Sequence, residues 1–184
     1  VESDASSTFT RGENAVSVSC YFGMTESGKS YHVKNHLMPS WKRSIVYDIA
    51  HCFESSDDLE LSHPSDAEFL KLWRVLQKRS AFQLVIRPTR TSSDIDLFNK
   101  VISLACALGR TLGRGVDPSD RVQLVCDEAD FVCSPHYQSR FLKHLVNKGR
   151  HDNVDAHFIA RNPSRLHTDI RVNCSKIVSF RVSN

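Results

Sequence analysis

The chain has 184 residues, 40% of them hydrophobic and 24% charged, with only 7 Gly and 6 Pro. That balance describes one globular domain with a sizeable core and excludes multidomain machines, collagen-like chains and low-complexity scaffolds. Its formal charge of +3 is too small to mark a nucleic-acid binder, but residues 1–60 carry 5 basic and 9 acidic side chains and residues 61–184 carry 19 and 12, which keeps a polyanionic partner open.

Residues 1–14 are polar and without periodicity, and read as a flexible or edge-lying leader ahead of a single domain over 15–184. Val16, Val18, Cys20 and Phe22 alternate with small or polar residues, predicting a strand that runs into Gly23. A helix follows over 28–38, stopped by Pro39, and a strand over 44–50. Ser65 and Glu68 have capping-box spacing ahead of a stripe of Phe69, Leu72, Trp73 and Leu76. A strand over 81–87 leads to a long helix opened by Ser93 and Asp96 and ended by Gly109, then a Gly/Arg/Asp loop and the strand 122–126. Ser134 and Pro135 predict the start of a helix that Gly149 ends. Strands over 156–160 and 176–182 close the chain, with a short helical segment around Leu166 and Ile170 between them. Strands alternating with helices predict an α/β fold with a mostly parallel sheet covered on both faces.

The six cysteines lack a C-x-x-C pair, which favours a reducing compartment, and no apolar run approaches the ~18 residues of a membrane span. A soluble intracellular protein is expected.

GMTESGKS, from Gly23 to Ser30, matches G-x-x-x-x-G-K-[ST] between a predicted strand and a predicted helix. Backbone N–H groups of such a loop cradle phosphate oxygens, so Gly23, Met24, Thr25, Glu26, Ser27, Gly28, Lys29, Ser30 and the adjoining Tyr31 form the expected nucleotide-binding run. Lys29 would reach the β- and γ-phosphates, and Ser30 would supply an oxygen to Mg²⁺. In VQLVCDEAD a buried strand delivers Asp127, a second Mg²⁺ partner, and Glu128, which would orient or deprotonate the attacking water. A water-activating carboxylate suits a hydrolase, whereas a small-molecule kinase does not need one. The guanine-reading Asn-Lys-x-Asp is missing, since Asn147-Lys148 runs into Gly149 and Arg150, so ATP is the expected nucleotide. His32 and His36 lie one helical turn apart with no third ligand nearby in sequence.

With the P-loop, the Asp127-Glu128 strand and the closing stretch NKGRHDNVDAHFIARNPSRLHTDIRVNCSKIVSFRVSN, the chain resembles the FtsK–HerA superfamily of DNA-translocating ATPases. It is most similar to the genome-packaging ATPases of tailless double-stranded DNA viruses with an internal membrane. The resemblance implies a three-layer RecA-like (ASCE) P-loop NTPase in which the strand 156–160 lies between the P-loop strand and the Asp127 strand. It implies ATP and Mg²⁺ as ligands, double-stranded DNA and a capsid or portal vertex as partners, a homo-oligomeric ring such as a hexamer, and a place in the host cytoplasm or virion. The family usually has a Gln beside the γ-phosphate; here Arg161 or the neighbouring Asn162 takes that position. Arg150 matches a position for an arginine acting on the neighbouring subunit, with Arg110 and Arg114 as competitors. Asp48 falls where the family has an acid, and is equally readable as a structural strand-end carboxylate. The basic stretch from Arg87 to Arg114 could face DNA or be a solvated surface. Rival readings are a filamentous-phage-type assembly ATPase, a small-molecule or nucleotide phosphotransferase, and a binding module with an inactive nucleotide site.

Overall fold

A computed structural model describes residues 5–10, 18–54, 60–62, 64–88, 95–112, 118–137 and 139–180. Its strands are β1 (Ala5–Thr10), β2 (Val18–Phe22), β3 (Arg43–Tyr47), β4 (Glu60–Ser62), β5 (Phe82–Arg87), β6 (Val122–Cys126), β7 (Val154–Ala160) and β8 (Cys174–Phe180). They form one sheet in the order β1-β8-β2-β7-β6-β3-β5-β4. Every pairing is parallel except that of β1 with β8. β7 therefore lies between β2 and β6, as the resemblance implies.

Period-two alternation sorts the central strands onto two faces. Cys20, Ile45, Leu84, Leu124 and Phe158 point to one side, into a core shared with α2 (Asp66–Leu76), α3 (Ile95–Leu112), α4 (Arg140–Lys148) and α5 (Thr168–Asn173). Each buried aliphatic or aromatic side chain there contributes about 1.5–3 kcal/mol, so Leu108→Ala in α3 would be among the costlier truncations. Tyr21, Val46, Val85, Val125 and Ile159 point the other way. They are covered by a thinner layer: α1 (Lys29–His32), the wider π turn Val33–Leu37 that continues it, and Phe53. Toward the N-terminal end of this thin face a polar chain crosses three strands. Tyr21 Oη lies 3.1 Å from His157 Nδ1, His157 Nε2 is 2.8 Å from Gln123 Oε1, and Gln123 donates to Asp155 at 3.1 Å. Burial pushes the His157 imidazole down to about 3.

Several boundaries differ from expectation for identifiable reasons. Part of the polar leader is an edge strand, since β1 adds to the free edge of β8. β4 extends the opposite edge through three residues, too short to show a pattern. The helix expected over 28–38 is α-helical only through His32; the N–H of Met38 bonds to Val33 O, and Pro39 sits in a terminal 3-10 turn. Ser134 and Pro135 do not open α4. They belong to a turn in which Tyr137 N bonds to Ser134 O, and Ser139 is the cap, accepting from Phe141 N and Leu142 N. The Ser65–Glu68 box is formed as expected. The expected opening of α3 at Ser93 lies outside the described residues, as do Val16 and Arg114. No helix among the described residues is long and apolar enough to cross a membrane, and all six cysteines are free thiols.

Candidate nucleotide site

The C-terminal ends of β2, β7 and β6 lie side by side, and each is followed by a segment of candidate site residues at the same edge. Gly28 caps the N-terminus of α1 at φ 92 and ψ 6, a left-handed conformation that glycine takes without steric cost. Ser27 N closes a turn onto Met24 O at 3.2 Å, and Met24, Thr25, Glu26 and Tyr31 stand exposed around it.

Lys29 is buried, and its Nζ donates to Gly23 O at 2.8 Å and Met24 O at 2.7 Å. Burial lowers its pKa, opposed by the charges of Glu128 and Asp127. Ser30 Oγ donates to Asp127 Oδ1 at 3.0 Å, joining two residues 97 positions apart. Desolvation pushes the Asp127 carboxyl up to about 6 against the Ser30 hydrogen bond, with Asp48 adding to the rise. Its other oxygen, Oδ2, is buried without a hydrogen-bond partner. An orphaned anionic oxygen beside a serine hydroxyl is a donor set for a hard divalent cation, so Ser30 and Asp127 fit Mg²⁺.

Glu128 turns the chain off β6 at φ 48, a left-handed conformation uncommon for a residue with a side chain. The following N–H, that of Ala129, bonds to Ile159 O at 2.8 Å and ties this turn to β7. Arg161, just past β7, donates from Nε to Glu128 Oε2 at 3.2 Å, and its guanidinium lies 5.9 Å from the ring centre of Phe131. Asn162 is turned away: its Oδ1 accepts from Ser164 N at 2.9 Å and from Ser164 Oγ at 3.0 Å, capping the turn Pro163–Arg165. Asp48 is fully buried and accepts from Cys52 N, Phe53 N and Arg87 Nε, the arrangement of a structural strand-end carboxylate.

Arg150 lies at the opposite end of the sheet, in the 3-10 turn that enters β7, with its Nε 3.4 Å from His151 Nε2. Arg110 at that same end is paired with Asp152 at 2.9 Å. Of the basic stretch, Arg87 pairs with Asp48 and Lys100 with Asp66; Arg90 and Arg114 lie outside the described residues. His32 packs its ring against Phe180, Tyr21 and His36. Sequence reading missed Phe131, exposed beside the acidic pair, and the pairing of Asp130 with Arg165 at 3.7 Å. The acid-rich run after β6 was the available signal.

No family model matches the chain, and no curated protein matches it by sequence. Its fold does match solved structures. The genome packaging NTPase B204 from Sulfolobus turreted icosahedral virus 2, in complex with ATP-γS, superposes with a TM-score of 0.69 at 17% identity, covering 94% of this chain and 78% of that one. B204, the DNA-packaging ATPase from Sulfolobus turreted icosahedral virus, gives 0.65 at 15% identity, with 94% and 78% covered. The cytoplasmic domain of EssC gives 0.51 at 12% identity, with 95% of this chain covered and 33% of that one. The chain thus has the RecA-like P-loop NTPase fold of the B204 packaging NTPases.

Proposed function

We propose that this chain is the Mg²⁺-dependent ATPase subunit of a ring-forming motor that translocates double-stranded DNA, working at the vertex through which a viral genome enters its capsid. The observation that carries the enzymatic part is the meeting of Lys29, Ser30, Asp127 and Glu128 at one sheet edge, with Arg161 on Glu128. The polymer and the setting are suggested by the fold shared with the B204 proteins, which are described as DNA-packaging and genome-packaging enzymes.

In this reading the backbone N–H groups of Gly23 to Ser30 hold the triphosphate, and Lys29 transfers its ammonium from the loop carbonyls to the β- and γ-phosphates. Ser30 and Asp127 would hold Mg²⁺, which offsets the phosphate charge that develops during transfer. Glu128 orients the attacking water and accepts its proton. Arg161 bridges Glu128 and the γ-phosphate position, so it senses whether the third phosphate is in place. Arg150, at the far end of β7, does not reach its own site and in this reading acts on a neighbour in the ring.

Lys29→Ala should abolish ATP turnover; retained activity removes the assignment. ATPase assays with and without duplex DNA at two salt concentrations test the motor. Stimulation by duplex that weakens steeply with salt is expected from phosphate contacts, whereas stimulation by a small phosphate acceptor would mean a phosphotransferase.

A further inference from the structure

Away from the nucleotide edge, three side chains with different donor atoms converge. Cys106 projects from α3, His144 from α4, and Asp152 from the turn entering β7; their sulfur, nitrogen and oxygen atoms all lie within 4.8 Å of one another. His144 Nε2 is 2.7 Å from Asp152 Oδ2, while Asp152 Oδ1 accepts from Arg110 Nη1 at 2.9 Å. Cys106 and Asp152 are buried and His144 is half-exposed. A cavity of 420 Å³ reaches Cys106 and His144 between α3 and α4.

The scaffold around these groups is held at backbone contact. A Cβ added at Gly109 would lie 2.1 Å from Asp152 O, so α3 approaches the Asp152 turn as closely as only glycine permits. Asn153 completes the turn in a left-handed conformation and reaches Gly109 O with its side-chain amide.

We infer that Cys106, His144 and Asp152 form a metal site with one sulfur, one nitrogen and one oxygen ligand, suited to a borderline divalent transition ion such as zinc, whose fourth position faces the cavity and is open to water. Tetrahedral bonds of about 2.0–2.3 Å place ligands roughly 3.5 Å apart, so the three donors need shifts of only about an ångström. Thiolate and imidazole donors select against magnesium and calcium. Arg110 holds the remaining carboxylate oxygen and orients it, the usual task of an outer partner. On binding, the Cys106 thiol releases one proton to solvent and the imidazole binds through Nε2 with its proton on Nδ1. Thiolate and carboxylate then balance the two charges of the ion. Burial pushes the free thiol up to about 12, so the ion competes with that proton and affinity is correspondingly moderated. The site would staple α3 and α4 to the start of β7. The seven residues of β7 separate it from Arg161 by roughly 20 Å, so it lies apart from the nucleotide edge.

The test is a titration of the full, reduced, chelator-stripped protein with Co²⁺. One ion per chain is expected, with a thiolate-to-cobalt charge-transfer band and the visible bands of a tetrahedral ion, all displaced by Zn²⁺. Cys106→Ser should abolish the charge-transfer band. His144→Ala, at a half-exposed position that the fold tolerates, should weaken cobalt binding at least ~10-fold. Cys52→Ser, which removes an exposed thiol at the nucleotide end, should leave the band unchanged. Failure to bind one cobalt per chain, or a band that survives Cys106→Ser, overturns the proposal.

Discussion

Two buried aspartates lie at opposite ends of the paired strands β6 and β7, and the chain treats them in opposite ways. Asp127, just past the C-terminal end of β6, has one oxygen on Ser30 and the other without a partner, and its carboxyl is pushed up to about 6. Asp152, just before β7, has partners on both oxygens. Burial pushes it up as well, but the hydrogen bonds from His144 and Arg110 outweigh that and hold it below the usual carboxylate value. The strained φ of Glu128 and the exposed Phe131 also gather at the Asp127 end. Unmet polar valence inside a fold costs stability, and at Asp127 it marks where a nucleotide-bound cation would complete the site.

The sharpest way to break this contrast is Glu128→Gln. Removing the proposed proton acceptor of the attacking water should cost about 10³-fold in ATP turnover, roughly 4 kcal/mol of barrier, with nucleotide affinity within about threefold of the parent. Phosphate release and equilibrium nucleotide binding measure the two separately. An unchanged turnover number would take Glu128 out of the chemistry.

Asp127→Asn comes next and carries a sign. A carboxyl raised from 3.8 to about 6 in the folded state stabilises relative to its ionised form only at low pH; that contribution is complete below 3.8 and is lost as pH rises through about 6. At pH 7.5 the ionised group therefore costs about 3 kcal/mol. Asparagine removes that cost, keeps the acceptor for Ser30, and adds an amide N–H without a partner at about 1 kcal/mol. In EDTA without nucleotide the variant should gain about 2 kcal/mol at pH 7.5 and lose that advantage near pH 4. His157, depressed from 6.5 to about 3, makes both proteins less stable as pH falls below 6.5, so the reading is the difference between their urea-unfolding curves. A destabilised Asp127→Asn at pH 7.5 would mean that the carboxylate is already satisfied.

Asp152→Asn should move the other way. With partners that are themselves half-exposed, its loss should cost about 1.5 kcal/mol in urea unfolding. ATP turnover should stay within about twofold at temperatures where the variant is folded. A collapse of turnover in a folded protein would show that the two ends are energetically one unit.

The parts that sequence made legible are local. The P-loop, the strand delivering Asp127 and Glu128, and the Ser65–Glu68 cap are contiguous runs whose spacing carries their chemistry. The position of β7 between β2 and β6 came from the family resemblance, because strand order is a non-local fact that periodicity does not encode. The edge strands β1 and β4 were not legible as strands: they are short, one lies in a polar leader, and their pairing partners are distant in sequence. The Ser134-Pro135 signal was sound as a cap but lost to Ser139, whose hydroxyl also bonds Asn99 of α3 and so gains a tertiary contact. Cys106, His144 and Asp152 show no ligand spacing, since α3, the following loop, β6 and α4 intervene before the fold brings them together.

Asn162 is the finest discriminator, because it neighbours Arg161 and the resemblance leaves either residue open as the proposed γ-phosphate sensor. Its amide oxygen is committed to Ser164 N and Oγ, the bonding of a residue that caps a turn. Capping substitutions to alanine cost about 1 kcal/mol, and the Pro163–Arg165 turn carries Arg165, which pairs with Asp130. Asn162→Ala should therefore lower unfolding stability by about 1 kcal/mol and change turnover less than about threefold, whereas Arg161→Ala, which leaves the turn intact, should slow turnover at least tenfold. The reverse pattern, a large kinetic loss at Asn162 with stability unchanged, would place the sensor at Asn162 and reduce the Arg161–Glu128 contact to a surface ion pair. Measuring both variants by steady-state phosphate release and urea unfolding separates the outcomes, because a cap acts on the folding equilibrium and a sensor acts only when the third phosphate is bound.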